Sequence, residues 1–220
     1  MDNSGINPIK QNLNIKQYIG WSIALFFPFA IKGVSDVIKL PLLAAVIYWS
    51  VFGIFLRHLM SKRLPYFDPK IREVKKEIII LLMITILSVY FHMSTYTQNN
   101  LPLRDIVLNS LLFAFLNGCF EQLVWVNILD LAGARIKLNG FIAAFIYVTL
   151  INSLFWDQFI PMEHNRVIFF IVSQILLNIV PFIIYIKTED ITIWSIQHII
   201  YNIILVILSE FGPEAFFYGT

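Results

Sequence analysis

Four ionisable side chains stand where the chain is otherwise apolar: His92, Glu121, Asp157 and His198. Keeping such a group in a hydrocarbon-like environment is costly, which makes each a candidate for function. Amides accompany them at Asn117, Gln122, Asn127, Asn152, Gln174, Asn178, Gln197 and Asn202. Asn117 and Glu121 are four apart, as are His198 and Asn202, so each pair shares one helical face. A glutamate on one helix opposite a His–Asn face on another is an acid–base arrangement. Carboxylate and imidazole can share a water there, one taking its proton while the other orients it. Burial raises a glutamic acid pKa toward neutrality, which suits either role. The ordinary alternative is that amides tie helices together and ionisable groups satisfy one another. That alternative is the expectation for isolated amides such as Gln174 and Asn178, and for His92, which has no spaced partner. Asp157 stands beside Gln158 and Pro161 and also fits an outer interface. The single cysteine, Cys119, lies in an apolar run, where it reads as a packing residue and excludes an intramolecular disulfide.

The elements that must position these residues follow from composition. Of 220 residues, 58% are hydrophobic and only 14% charged, against roughly a quarter charged in an ordinary soluble domain. Mean hydropathy is +0.74. This excludes a soluble enzyme, a disordered chain and a nucleic-acid-binding module, and it makes the lipid bilayer the first partner. A membrane-spanning helix needs roughly 20 mostly apolar residues. Seven segments satisfy or approach that, near 17–36, 38–60, 78–97, 104–130, 139–160, 166–186 and 191–209. The first is the weakest, being interrupted by Pro28 and Lys32. The expected fold is therefore all-α, a polytopic helical membrane bundle of about seven transmembrane helices.

Twelve of the sixteen Lys and Arg residues fall before the first span or in the second, fourth and sixth connections. An excess of basic residues marks the cytoplasmic side, so the N-terminus is expected inside. Residues 1–16 read as a cytoplasmic tail and 17–220 as the helical membrane domain. No small-x-small cleavage site follows the first apolar run, so it reads as a span rather than a signal peptide. The connection from Ser61 to Glu77 opens with Leu64-Pro65-Tyr66-Phe67-Asp68-Pro69, which disfavours helix. It reads as a solvated basic loop held near anionic lipid and ending in a basic helical turn, with specific lipid binding as the alternative. Inverted repeats, a voltage-sensor stripe and a pore-filter sequence are all lacking.

Three stretches carry a resemblance. Phe120-Glu121-Gln122-Leu123-Val124-Trp125-Val126-Asn127 resembles the Glu-Glu-x-x-x-Arg motif of the CPBP family, the CAAX proteases and bacteriocin-processing membrane proteins also called Abi proteins. Asn152-Ser153-Leu154-Phe155-Trp156-Asp157-Gln158-Phe159 occupies the place of that family's Phe-x-x-x-His helix. Trp194-Ser195-Ile196-Gln197-His198-Ile199-Ile200-Tyr201-Asn202 is similar to its closing His-x-x-x-Asn helix, tryptophan included. The resemblance covers roughly residues 104–209. It implies Glu121 as the base that activates water for peptide-bond attack, His198 as a water-positioning residue and Asn202 as an oxyanion donor. The chain departs from the pattern at Gln122, where the second glutamate belongs, and at Val126, where the arginine belongs. Val126 removes a charge and five donors. In the second motif Phe159 stands in the histidine register, and a slipped register offers Asp157.

Depth bears on Asp157. Counted from the nearest cytoplasmic basic residue, His198 is 11 positions in, Glu121 is 14 and Asp157 is 20. At 1.5 Å per residue, straight helices set Asp157 roughly 9–14 Å beyond the other two. Glu121 and His198 are expected to meet. No cofactor is expected. A metal enters through the resemblance alone, with Glu121 and His198 its candidate ligands, and one Glu and one His fall short of a catalytic zinc set. Two functions follow. One is a CPBP-like protein with a degenerate centre and a binding, scaffold or immunity role. The other is a working intramembrane endopeptidase that cuts prenylated or leader peptides through glutamate-activated water. Either has a membrane protein or peptide as partner or substrate, and the resemblance implies a prokaryotic plasma membrane.

Overall fold

The structure is a computed structural model and describes residues 8–39, 41–60, 62–93, 103–156 and 167–209. Among them every regular element is helical, in seven rods. We number them α1 (Pro8–Ile38), α2 (41–59), α3 (Lys75–Met93), α4 (103–132), α5 (137–156), α6 (Val167–Thr188) and α7 (Thr192–Ser209). Three rods widen locally into π-helical turns: α2 at Trp49–Phe55, α4 at Ser110–Ala114 and α5 at Asn152–Trp156. Three described stretches are long and apolar enough to cross a membrane: Asn12–Ile38, Ile106–Ala132 and Lys137–Phe155. Leu43–Leu59, Ile175–Thr188 and Thr192–Leu208 are equally apolar in character but shorter.

α1 begins at Pro8, nine residues before the expected first span, and continues through both Pro28 and Lys32. Lys32 is accommodated by Asp36 one turn on, Nζ to Oδ2 3.0 Å. An i,i+4 pair of opposite charge cancels the net charge that made this segment look weak.

α4 is the central rod. Two thirds of its most apolar stretch is buried, against 22% for α1. Leu123, Val124, Trp125, Val126 and Ile128 have almost no exposed surface. α1, α2, α5 and α7 pack against it, α1 and α7 closely because small residues stand at those crossings. A Cβ on Gly20 of α1 would lie 2.8 Å from Ala132 Cα, and one on Gly118 would lie 2.8 Å from the Ile199 backbone nitrogen of α7. Neither distance is tolerable, so glycine sets both approaches. The perimeter remains apolar, with Phe26, Phe29 and Val37 of α1 and Met83, Ile86 and Tyr90 of α3 exposed.

The ends of α2, α4 and α6 meet the starts of α3 and α7 at one pole. Lys62 Nζ lies 2.6 Å from Asp130 Oδ2 and Lys187 Nζ 2.6 Å from Glu77 Oε1. That hydrogen bond from Lys187 holds the Glu77 carboxyl below the usual carboxylate range. Gly20 packs on Ala132, which brings the N-terminal half of α1 to the same pole. The second, fourth and sixth connections, grouped by their basic residues, therefore share one end of the bundle.

One expectation is corrected here. The loop after α2 is not simply solvated. Pro65 is buried and Tyr66 half-buried against the main core. Three main-chain bonds seat it on the α6–α7 corner: Ile191 N donates to Pro65 O (2.7 Å), Phe67 N to Thr192 Oγ1 (2.7 Å) and Asp68 N to Asp190 Oδ2 (2.8 Å). Asp190 also caps α7 by accepting from Thr192 N at 2.7 Å. A loop whose donors find fixed acceptors is held in place, whatever its polarity.

Candidate functional site

α4 and α7 present matching faces. On α4, Asn117, Gly118, Glu121, Gln122 and Trp125 fall at helical spacing, and on α7 Trp194, Ser195, His198, Ile199 and Asn202 do the same. Gly118 admits the backbone of Ile199, and this close crossing brings the polar residues of the two helices together. His198 Nε2 lies 3.6 Å from Glu121 Oε2, with both side chains at most 9% exposed. That separation is too long for a direct hydrogen bond and too short for a bridging water. The pair is an electrostatic contact inside the core. The expected meeting of Glu121 and His198 is thus present.

Further groups converge on the same imidazole nitrogen. Asn117 Nδ2 is 3.5 Å away. The Gln122 amide satisfies its surroundings when its nitrogen donates to Gly118 O (2.7 Å) and Asn117 O (3.3 Å), with its oxygen 3.3 Å from His198 Nε2. In that arrangement Nε2 carries the proton. Gln122, which replaces the second glutamate of the resemblance, therefore reads as a brace between the α4 backbone and His198. Trp125 meets the imidazole edge-on at 5.8 Å and itself packs at a tilt on Trp194 at 5.4 Å, walling the contact from one side.

Asn202 lies one turn beyond His198 and is buried, and its Nδ2 has no hydrogen-bond partner among the described residues. The same holds for Asn117 Oδ1, whereas the Tyr48 hydroxyl is within hydrogen-bonding reach of Tyr147 and Trp125. The two tyrosines, from α2 and α5, have ring centroids 6.5 Å apart and lie within electrostatic reach of Glu121. Sequence reasoning missed them because an isolated tyrosine in an apolar run carries no spacing signal. Buried polar atoms are nearly always paired, so the two unpaired amide atoms on the helix faces that carry Glu121 and His198 set this centre apart.

Asp157 and the register question at Phe159 lie outside the described residues, as do the surroundings of the His92 side chain within α3. Asn152 Nδ2 donates back to Val148 O at 2.8 Å inside α5. No cluster of three His, Cys, Asp or Glu side chains occurs among the described residues. Glu121 and His198 give two donors where catalytic zinc takes three protein ligands, so these residues do not make a metal centre by themselves.

A second polar cluster, not anticipated, stands at the basic pole. Arg57 of α2 is 4% exposed. Its Nη1 lies 2.9 Å from Asp130 Oδ2 and 3.4 Å from Asn127 Oδ1, and its Nε donates to Arg63 O at 3.1 Å. Tyr185 OH donates to Asp130 Oδ2 at 2.7 Å and accepts from both Arg57 terminal nitrogens at 3.3 Å. Asn127 Nδ2 donates to Phe52 O and Gly53 O, 2.8 Å each. Both carbonyls belong to the π-helical turn of α2, where the wider winding leaves acceptors to be filled. Val126 was expected to deprive α4 of its bracing charge. Val126 is indeed fully buried among apolar groups, but α4 is braced one turn later from α2. Arg57 was legible only as a basic loop residue, because nothing local signals a partner 73 positions away.

The loop joins the two clusters. Tyr66 OH donates to the Cys119 carbonyl, two residues before Glu121. Burial pushes the Tyr66 phenol well above the usual tyrosine range.

No protein family, curated protein or solved structure matches this chain.

Proposed function

We propose that this chain is a multi-pass integral membrane protein of the plasma membrane, with its basic pole and N-terminus at the cytoplasmic face. Within it, the Glu121–His198 centre is a degenerate CPBP-like site that binds a membrane protein or peptide partner, in a scaffold or immunity role. The orientation rests on the basic residues gathered at one pole, since cytoplasmic loops carry that excess. Spanning rests on apolar perimeters and on three helices of membrane length. The observation that carries the binding reading is what surrounds the contact. Gln122 ties His198 to helix backbone, and Val126 leaves the pair without a guanidinium. An imidazole held by an amide brace is positioned but not supported by the second carboxylate and arginine of the resembled motif.

One observation favours a second reading, the working endopeptidase. Asn202 Nδ2 is a buried donor with nothing to donate to, in the face that carries His198. In that reading Glu121 takes the proton of a water whose oxygen attacks the scissile carbonyl carbon. Asn202 donates to the developing oxyanion, and the leaving amine takes the proton back as the C–N bond breaks.

The test is proteolysis by protein in nanodiscs, offered prenylated and leader peptides, beside Glu121→Ala and His198→Ala. Binding predicts no cleavage by any of the three and a partner captured by wild type from the membrane fraction. Cleavage that either substitution abolishes overturns it in favour of the endopeptidase.

A further inference from the structure

The loop that carries Tyr66 inward carries its next residue outward. Phe67 is 91% exposed, the largest exposure of any apolar side chain among the described residues. Its backbone sits at φ 71°, in the left-handed region that an aromatic residue rarely enters. The bonds from Phe67 N to Thr192 and from Asp68 N to Asp190 hold it there. A strained, fixed backbone displaying a bare aromatic ring is a device rather than an accident of a mobile loop.

Its surroundings name the occupant. Leu64 and Ile71, each about half exposed, flank Phe67, and Leu59 at the end of α2 and Ile79 and Ile80 in the first turns of α3 are exposed as well. Lys70, Arg72, Lys75 and Lys76 are exposed beside them. Of the nearby acidic groups, Asp68 faces Arg63 at 3.5 Å and Glu77 is held by Lys187, which leaves Glu73 against those four cations. Exposed apolar side chains and four exposed cations within one fixed loop and the helix start after it match the boundary between acyl chains and anionic headgroups.

We propose that residues 62–76 form a fixed anchor for an anionic lipid leaflet, with Phe67 entering at headgroup depth and Lys70, Arg72, Lys75 and Lys76 holding the phosphates. The proposal rests on the membrane reading above and goes beyond it in assigning one loop and one lipid class.

The experiment attaches a nitroxide through Phe67→Cys, and separately through Leu82→Cys on the exposed face of α3, each in a Cys119→Ser background. Labelled full-length protein is placed in nanodiscs of phosphatidylcholine alone and of phosphatidylcholine with phosphatidylglycerol, 3:1. Accessibility to oxygen and to an aqueous nickel chelate is then read for each label. The label at 82 is expected in lipid in both. The label at 67 is expected shielded from nickel, more so with phosphatidylglycerol. Spin-labelled phosphatidylglycerol is expected to lose about fivefold in relative association for each of the four cations replaced by glutamine. A label at 67 open to nickel in both lipids, with 82 in lipid, overturns the anchor and leaves the membrane reading standing. Both labels open to nickel overturns the two together. No change on neutralising the cations also overturns the anchor.

Discussion

Two acidic residues on α4, the buried Glu121 and the part-buried Asp130, stand nine positions apart and differ in their company. Asp130 Oδ2 is addressed by a guanidinium, an ammonium and a phenol at 2.6–2.9 Å. The neighbouring Asn127 amide is used in full as well, accepting from Arg57 and donating twice to α2. Glu121 lies 3.6 Å from the His198 imidazole, and on the same two helix faces Asn117 Oδ1 and Asn202 Nδ2 have no hydrogen-bond partner among the described residues. A completed network stabilises architecture, whereas an incomplete one in a costly environment is where function is sought. Burial of an acid alone does not separate the cases; the state of its neighbours does.

Four substitutions break or sharpen that contrast. The largest effect is expected from Asp130→Ala. Lys62 is half exposed and returns to water, but the Arg57 guanidinium stays buried without its anion. Destabilisation of about 3–5 kcal/mol is expected, read as a lowered midpoint in denaturant titration of detergent-solubilised protein. A loss under about 1 kcal/mol would mean that the Asp130 cluster is decoration. Next is Gly118→Leu, whose Cβ meets Ile199 backbone. Overpacking of about 1–3 kcal/mol is expected, together with separation of Trp125 from His198, read as a changed indole emission.

Glu121→Gln is expected to leave stability within about 1 kcal/mol of wild type, or to raise it, because an amide is less costly in the core than a carboxylate. Partner capture should be lost all the same. If stability instead falls as far as in Asp130→Ala, the contrast fails and Glu121 is structural. The smallest effect is Tyr66→Phe, about 1 kcal/mol for one hydrogen bond. Its sign with pH is definite. The folded state keeps the Tyr66 proton beyond about pH 10, where the unfolded chain releases it, so stability falls as pH rises past that point. Tyr66→Phe should flatten this alkaline decline without moving the acid limb.

The helical class was legible from composition, and the seven rods from apolar run lengths. Both follow from local physics: a long apolar stretch satisfies its own backbone only as a helix. The Glu121–His198 meeting was legible in part, since i,i+4 spacing places Asn117 with Glu121 and His198 with Asn202 on single faces. Gly118 set how closely those faces approach, and that depended on what stood opposite it. The Asp130 cluster was hidden because Arg57, Lys62, Asp130 and Tyr185 come from three helices and a loop. The inward turn of Tyr66 was hidden for a related reason. Prolines at 65 and 69 predict an irregular backbone, but they do not say which side chain it buries.

The chain by itself determined helices, their number, the grouping of its basic residues and the faces on which its polar groups lie, because each depends on neighbours within a turn or two. Only the tertiary structure decided which of the two α4 acids is ringed by cations and a phenol and which has unpaired amide atoms on its face. Hydrogen bonding in a core is a matter of contacts tens of residues apart, formed when helices pack to within a glycine's width.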